Sequence, residues 1–296
     1  MKLAAIDIGS NAARLLIVEV ISNSGKEPLF TKLSLVRVPL RLGFDVFEFG
    51  EIRKEKSRLL RTTMKAFKLL MKVYEVSYYK ACATSAMRDA ANRKDILRKI
   101  KLECGLDIEV ISGDKEASYI CDNHIAEKME KGNAYLYIDV GGGSTELTFF
   151  SDGKLQYKES FNIGTIRLLK KQVKENTWDE MKEHIQCNTK SKWPLIAIGS
   201  GGNINKIFSM SKTKENKPLS IQLVKDYYHE LSRINLPDRM RLYSLKADRA
   251  DVIVPALQIY SLVMTWANIE EIFVPRIGLA DGMIQKLFEE IQRAEK

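Results

Sequence analysis

The sequence of 296 residues lacks any apolar run near the roughly 20 residues that a membrane-spanning helix needs. Its N-terminus passes directly into an apolar, strand-like segment at residues 3–8, without the charged leader and cleavage site of a signal peptide. We therefore expect a cytoplasmic protein with no membrane partner. None of its four cysteines lies in a CxxC pair or a zinc pattern, so we expect reduced thiols.

Aromatic residues and histidines are also few, and the three histidines are scattered along the chain. Basic side chains outnumber acidic ones by 47 to 38, which gives a formal net charge of +9. A positive surface attracts polyanions. The basic runs have little of the aromatic interleaving that base stacking needs, so we expect no specific nucleic-acid partner. The charge alone indicates a phosphate-rich partner only weakly.

Two segments of the chain, residues 2–11 and 134–146, resemble each other. Each reads as an apolar strand, an aspartate, a glycine turn with a hydroxyl residue, and then a further apolar run. This order is typical of a β-hairpin and differs from the strand-to-helix loop of a Walker motif. The repetition predicts two domains of similar plan, at residues 1–124 and 125–296, with a boundary near residues 123–126.

The rest of the chain alternates between strand-like and helix-like segments, which indicates an α/β fold. We predict strands at residues 78–83, 108–111 and 195–198, and helices near residues 53–73, 94–103, 224–234 and 252–266. The polar segment at residues 211–218 is expected to be an exposed loop.

Three glycine-rich turns follow apolar strands, at residues 7–11, 139–144 and 198–203. Successive backbone N–H groups in such turns form an anion-binding concavity, to which hydroxyl groups add donors. Three such turns indicate phosphate binding far more strongly than one. The predicted phosphate-binding residues of these turns are Gly9, Ser10, Asn11, Gly141, Gly142, Gly143, Ser144, Gly199, Ser200, Gly201 and Gly202.

Acidic residues accompany two of these turns. Asp7 and Asp139 end strand-like segments, and Glu146 follows the second turn. Mg²⁺ takes one or two carboxylates in polyphosphate sites, so these three residues are candidate metal ligands, with Asp7 also close to the phosphate. The alternative is that each aspartate caps its own turn. Glu116 falls in the first turn of a predicted helix, where the helix dipole alone could explain an acid.

Six motifs appear in one order along nearly the whole chain. They are Asp-Ile-Gly-Ser-Asn at 7–11, Ala-Thr-Ser-Ala-Met-Arg at 83–88, Ile-Ser-Gly-x-x-Glu-Ala at 111–117, Asp-Val-Gly-Gly-Gly-Ser-Thr-Glu at 139–146, Gly-Ser-Gly-Gly-Asn at 199–203 and Arg-Ala-Asp-Val-Ile at 249–253. Together they resemble the exopolyphosphatase/guanosine pentaphosphatase (Ppx/GppA) family. The resemblance implies a two-domain actin-like, sugar-kinase-like (ribonuclease H-like) α/β fold, with the active site in the interdomain cleft.

The resemblance also implies the reaction and the residue roles. A member of this family removes the terminal phosphate of inorganic polyphosphate or of pppGpp, with Mg²⁺ or alternatively Mn²⁺ as cofactor. By motif position, Glu116 corresponds to the general base, and Asp139 and Glu146 to acids that order metal and water. The phosphate loop corresponds to residues 141–144, and Arg88 to an arginine near the phosphate.

Two alternatives and two further expectations stand beside this hydrolase. The same fold could belong to a small-molecule kinase or to a non-catalytic protein that binds polyphosphate or an alarmone. The chain ends where longer family members carry a helical C-terminal domain, so we expect short polyphosphate chains or nucleotide-linked phosphates as substrates. A homodimer is the default expectation for an oligomer.

Overall fold

The computed structural model describes residues 1–22, 27–121, 132–275 and 277–294, with the backbone alone at 120 and 121. The chain forms two compact units, one of Met1–Asn123 with Leu279–Lys296 and the other of His124–Gly278. The expected boundary at residues 123–126 lies outside the described residues. The division differs from the predicted domains 1–124 and 125–296 at the C-terminus, where residues 279–296 join the first unit.

The two units are built from eleven strands and thirteen helices in the described residues. The strands are β1 (Lys2–Ile8), β2 (Ala13–Ile21), β3 (Leu29–Val38), β4 (Tyr78–Ala83), β5 (Glu109–Val110), β6 (Ala134–Val140), β7 (Thr145–Ser151), β8 (Lys154–Phe161), β9 (Leu195–Ser200), β10 (Leu219–Ser220) and β11 (Glu271–Phe273). The helices are α1 (Leu42–Phe49), α2 (Lys54–Val73), α3 (Ser85–Asp89), α4 (Arg93–Cys104), α5 (Gly113–Cys121), α6 (Thr165–Leu169), α7 (Glu175–Asn188), α8 (Gly202–Met210), α9 (Ile221–Arg233), α10 (Leu236–Leu242), α11 (Ala247–Ala250), α12 (Ile253–Trp266) and α13 (Leu279–Ala294). No helix among the described residues is long and apolar enough to cross a membrane.

The first unit contains a five-stranded sheet in the order β3-β2-β1-β4-β5. Strand β1 is antiparallel to β2 and parallel to β4, and β2 is antiparallel to β3. The β1–β2 pair is the predicted first hairpin. Strand β1, at the centre of the sheet, contains a continuous apolar run. Residues 3–6 of this run are fully buried, as expected for a strand covered on both faces.

Helix α13 belongs to the first unit because its apolar face packs on this sheet. Met283, Leu287 and Phe288 join a core cluster with Leu3 and Leu16 of the central strands. In sequence, α13 is only an amphipathic helix near the chain end. Its pattern shows which face is buried but does not show which sheet covers that face, and this is why the predicted second domain included it.

The second unit contains a six-stranded sheet in the order β10-β11-β9-β6-β7-β8. Strand β6 is antiparallel to β7 and parallel to β9, which is parallel to β11. Apart from β10, the strands repeat the order and directions of the first sheet. The likeness between residues 2–11 and 134–146 therefore reflects a repeat of topology, since each segment supplies the central strand and its hairpin.

Candidate functional site

The first glycine turn joins β1 to β2 in the first unit. The Gly9 N–H donates to the carbonyl oxygen of Ala12 over 3.0 Å. A Cβ at Gly9 would lie 3.3 Å from that same oxygen, so the turn is tight enough to favour glycine. The Ser10 hydroxyl accepts a hydrogen bond from the Ala86 N–H over 3.2 Å and shares another with the Ser85 hydroxyl over 2.8 Å. The turn is thereby fixed to the start of α3.

Asp7, at the end of β1, is almost fully buried and pairs with an arginine. Its Oδ2 accepts a hydrogen bond of 2.6 Å from Nη1 of Arg14, its register partner on β2. Neither predicted alternative for Asp7, metal ligand or cap of its own turn, anticipated this partner. A cation bound by Asp7 would have to share the carboxylate with the guanidinium.

A hydrogen bond links Arg88 to the segment that leads into the helix of Glu116. The Nη1 of Arg88, on α3, donates to the carbonyl oxygen of Ile111 over 2.9 Å, just before α5 begins. Glu116 lies in the first turn of α5, and its N–H donates to the carbonyl oxygen of Ser112 over 3.0 Å. Its side chain is largely buried. The structure thus brings the end of the Ala-Thr-Ser-Ala-Met-Arg motif to the start of the motif that carries Glu116.

The second glycine turn, between β6 and β7, presents its peptide groups in one orientation. The carbonyl oxygens of Gly141, Gly142 and Gly143 accept hydrogen bonds from the Thr165 N–H (3.0 Å), the Ile166 N–H (2.8 Å) and the Arg167 Nε (2.6 Å). In a trans peptide the N–H points away from the carbonyl. The next three N–H groups, at residues 142–144, therefore point away from residues 165–167, and within the described residues they donate to no protein acceptor.

This orientation depends on a segment that the sequence analysis did not single out. A Cβ at Gly164 would lie 2.5 Å from the Gly142 oxygen and from Gly143 backbone atoms, so any side chain there would displace the turn. The Thr145 hydroxyl donates to the Ile163 carbonyl oxygen over 2.6 Å. The sequence feature that could have revealed this segment is the run Asn-Ile-Gly-Thr-Ile-Arg at 162–167. Like the predicted turns, it places a glycine and a hydroxyl residue after a strand.

Asp139 and Glu146 flank the same turn and face each other across the β6–β7 ladder. A carboxylate oxygen of one lies within 4.8 Å of a carboxylate oxygen of the other. Glu146 is 2% exposed and accepts a hydrogen bond of 2.9 Å from the Ser160 hydroxyl. Two carboxylates this close repel each other unless a cation or proton lies near them. An oxygen-only pair of this kind fits the ligand preference of Mg²⁺.

The third glycine turn follows β9 and opens helix α8. Gly201 has a φ of 103°, which favours glycine, and a Cβ there would lie 3.0 Å from Oδ1 of Asp139. The turn thus passes directly beside the carboxylate. Tyr260, on α12, donates its hydroxyl to the carbonyl oxygen of Ser200. Burial raises the pKa of the Tyr260 hydroxyl well above its usual value, and the charge of Asp139 raises it further, so the hydroxyl stays a donor.

The other glycines of this turn have different surroundings. A Cβ at Gly199 would lie 2.7 Å from Cδ1 of Ile272, so the packing of this side chain favours glycine here. A Cβ at Gly202 would lie 2.6 Å from Nη1 of Arg249, which places that guanidinium against the start of α8. Tyr260, Gly164 and Arg167 are residues that sequence reasoning missed. Tyr260 carried no distinguishing signal, because it lies among the mostly apolar buried residues of its helix.

The predicted site residues thus lie in two sets. The first unit holds Asp7, Gly9, Ser10, Asn11, Arg88 and Glu116, and the second holds Asp139, residues 141–144, Glu146 and residues 199–202. Within the second unit, the structure brings Asp139, Glu146 and the turns at 141–144 and 200–202 together. The roles of all these residues remain predictions.

Known proteins resemble the chain over nearly its whole length. The sequence model of the Ppx/GppA phosphatase family matches residues 20–290. Exopolyphosphatase 1 of Mycobacterium tuberculosis is 25% identical over 96% of this chain and 87% of its own. A putative exopolyphosphatase of Haemophilus influenzae is 22% identical over 99% and 94% of the two chains.

Solved structures share the fold. An exopolyphosphatase from Cytophaga hutchinsonii superposes with a TM-score of 0.82 at 22% identity, over 98% of each chain. The Ppx/GppA family member of Aquifex aeolicus gives a TM-score of 0.76 at 24% identity, also over 98% of each chain. With the two sheets described above, these likenesses confirm the predicted two-domain, actin-like α/β fold.

Proposed function

The chain belongs to the Ppx/GppA phosphatase family, and from that membership we propose that it releases the terminal phosphate of inorganic polyphosphate or of pppGpp with the help of Mg²⁺. Membership in a phosphatase family confirms the predicted hydrolase of phosphoanhydride bonds. The relatives named as exopolyphosphatases support inorganic polyphosphate as substrate.

One observation supports the proposal: a turn with outward N–H groups and a pair of close carboxylates lie on the same hairpin. The outward N–H groups of residues 142–144 are suited to phosphate oxygens. Asp139 and Glu146, on the strands at either side of the turn, are suited to a divalent cation. A phosphoanhydride with its metal presents both charges together, so the hairpin matches both parts of that substrate.

The reaction we propose is in-line attack of water on the terminal phosphorus. A bond forms between phosphorus and the water oxygen while the bridging P–O bond breaks, and the shortened polyphosphate chain or nucleotide leaves as a phosphate anion. Bound Mg²⁺, held by Asp139 and Glu146, would neutralise charge that develops on the phosphate oxygens. The N–H groups of residues 142–144 hold those oxygens in place, and Arg88 adds positive charge. Glu116 accepts the proton of the attacking water. Phosphoryl transfer depends mainly on such positioning and charge stabilisation.

The experiment is a panel of phosphate-release assays with short and long polyphosphate, pppGpp, GTP, ATP and ADP, each with Mg²⁺, Mn²⁺ or EDTA. We expect release from polyphosphate or pppGpp that requires a divalent cation. Tight binding of these ligands without release under either metal would instead identify a binding protein. Faster phosphoryl transfer from ATP to added sugars or acids than to water would identify a kinase.

A further inference from the structure

The net charge of the protein resides in two helices of the first unit. Helices α2 and α4 contain twelve lysines and arginines and three acidic residues, a net charge of +9. The whole chain has 47 basic and 38 acidic side chains. Outside these two helices, the chain therefore has 35 basic and 35 acidic side chains and no net charge. A surface charge of this size in 32 residues is a local feature, and the protein as a whole is not uniformly basic.

Six of these cations form a straight row along α2, which we call the α2 stripe. Its members are Lys54, Arg58, Arg61, Lys65, Lys68 and Lys72. Their spacings alternate between four and three residues, which places them on one face of a helix. At a rise of about 1.5 Å per residue, the stripe is about 27 Å long. Residues of α2 on the other side, among them Leu60 and Phe67, are buried in the core.

Helix α4 lies beside the first half of α2 and extends the charged surface. The Asn92 side chain, just before α4, exchanges hydrogen bonds of 3.2 and 2.8 Å with the backbone of Ile52, just before α2. Further along, Glu103 of α4 pairs with Arg61 and with Lys65. The two helices therefore run side by side from a common end.

The acids around this surface are too few to neutralise it. Glu103 is shared by two cations of α2, and Asp95 is shared by Arg98 and Lys99. Within the described part of the chain, six cations on these helices pair with no carboxylate. They are all exposed: Lys54, Arg58, Lys68, Lys72, Arg93 and Lys94. Mutual repulsion among such charges decreases when a polyanion binds.

We propose that the α2 stripe, with the adjoining cations of α4, is a second polyanion-binding surface that holds the body of a long inorganic polyphosphate chain. None of the predicted site residues lies on α2 or α4, so this surface is separate from the groups that act on the terminal phosphate. The choice of occupant rests on the proposed function. The surface favours long chains, against the short chains that the sequence led us to expect.

The composition of the surface distinguishes polyphosphate from a nucleic acid. Phe67 is the one aromatic residue within α2 and α4, and it is buried. The half-buried Tyr79 ring lies beside the stripe, with its centroid 5.7 Å from Nζ of Lys68. One ring beside six cations is fewer than the stacking of successive bases requires. Lysine and arginine side chains in a row can contact successive phosphates without reading anything else. Release of the counterions condensed on the polymer would supply the free energy, and binding would weaken as salt rises.

The test compares two variants that each lose three positive charges. The stripe variant carries Lys54→Gln, Arg58→Gln and Lys72→Gln. The control variant carries Lys182→Gln, Lys190→Gln and Lys217→Gln, which are exposed and unpaired with acids in the described part of the second unit. Binding of long polyphosphate, tripolyphosphate and poly(U) is measured in EDTA at several salt concentrations. Phosphate release from tripolyphosphate is measured with Mg²⁺.

We expect the slope of log Kd against log salt for long polyphosphate to fall by about 2 in the stripe variant, the loss of three phosphate contacts. A fourfold rise in salt would then weaken the parent about 16-fold more than the stripe variant. The control variant should keep the parent slope, and both variants should keep the parent kcat for tripolyphosphate.

Equal slopes in the two variants would overturn the proposal, and so would a preference of the stripe for poly(U) over polyphosphate of equal charge. A separate result concerns the proposed function. In this result, the parent protein releases no phosphate from any substrate, while the stripe variant still shows the smaller slope of log Kd against log salt. It would reject the hydrolase and keep the polyphosphate-binding surface.

Discussion

The Nε of Arg167 donates a hydrogen bond of 2.6 Å to the carbonyl oxygen of Gly143. The same peptide unit carries the N–H of Ser144, which points the other way. Arg167 therefore positions a predicted phosphate-binding donor without being on the turn itself. It holds the last of the three peptide groups that are oriented by residues 165–167.

Replacing Arg167 should loosen this turn. A hydrogen bond to a charged donor contributes about 1.5–3 kcal/mol, so Arg167→Met should lower kcat/KM for phosphate release by about 10- to 100-fold. Arg167→Lys should recover part of the loss. Steady-state kinetics would measure the change in kcat/KM, and thermal unfolding would check that each variant is folded. A kcat/KM equal to that of the parent would show that the turn holds its orientation without the guanidinium.

Gly164→Ala tests the same turn by steric means. The added Cβ would lie 2.5 Å from Gly142 and Gly143 atoms, so the turn must shift. Overpacking of this kind typically costs about 1–3 kcal/mol, and we expect a lower Tm together with a loss of phosphate release. Gly278→Ala is the matched control, because a Cβ there would meet no atom within 4 Å. Equal effects of the two substitutions would contradict the tight contact at Gly164.

Glu116→Gln tests the proposed base. The change preserves size and removes the proton acceptor, so turnover should fall about 10²- to 10⁴-fold while KM changes little. Asp114→Asn, an exposed acid of the same helical turn, is the control and should keep most of the activity. The measurement is kcat and KM for polyphosphate. Unchanged turnover in Glu116→Gln would leave Glu116 with the structural role of an acid at a helix N-terminus.

The substitutions Asp139→Asn and Asp7→Asn test which of the two aspartates binds the metal. We expect Asp139 to be the metal ligand and Asp7 to be the partner of Arg14. Losing a charged oxygen at Asp139 should raise the Mg²⁺ concentration needed for half-maximal activity. The carboxylate of Asp7 is already paired with Arg14, so Asp7→Asn should move that concentration much less. Activity titrated with Mg²⁺ distinguishes them. The reverse order would make Asp7 the ligand and Asp139 the structural acid.

Tyr260→Phe removes the hydrogen bond to the Ser200 carbonyl at the turn beside Asp139. A hydrogen bond of this kind contributes about 0.5–1.5 kcal/mol to stability, so the Tm should fall modestly. Because the turn also passes next to Asp139, we expect a shift in the Mg²⁺ dependence of phosphate release as well. Phe149→Leu, in the core of the same unit, is the control. It should lower the Tm without changing the Mg²⁺ dependence.

Local patterns in the sequence were sufficient to predict much of the fold. The hairpins at residues 7–14 and 139–146 were readable because an apolar run, an aspartate and a glycine turn lie next to one another. The predicted helices and strands agree with the structure within three residues at each end. Strands β3, β8, β10 and β11 were missed, as were several helices, among them α7 and α13. Strands β3 and β8 lie at sheet edges with mixed exposure, so their side chains do not alternate clearly.

Only the tertiary structure assigned the contacts that join distant parts of the chain. Helix α13 shows an apolar face in sequence, but its packing on Leu3 and Leu16 follows from the folded sheet. Gly164 and Arg167 contact the glycine turn from about twenty residues away, and Tyr260 reaches Ser200 from another helix. The sequence by itself was enough to predict which residues bear the chemistry, because their types and neighbours are local. Their orientation depends on long-range packing, which no local pattern encodes.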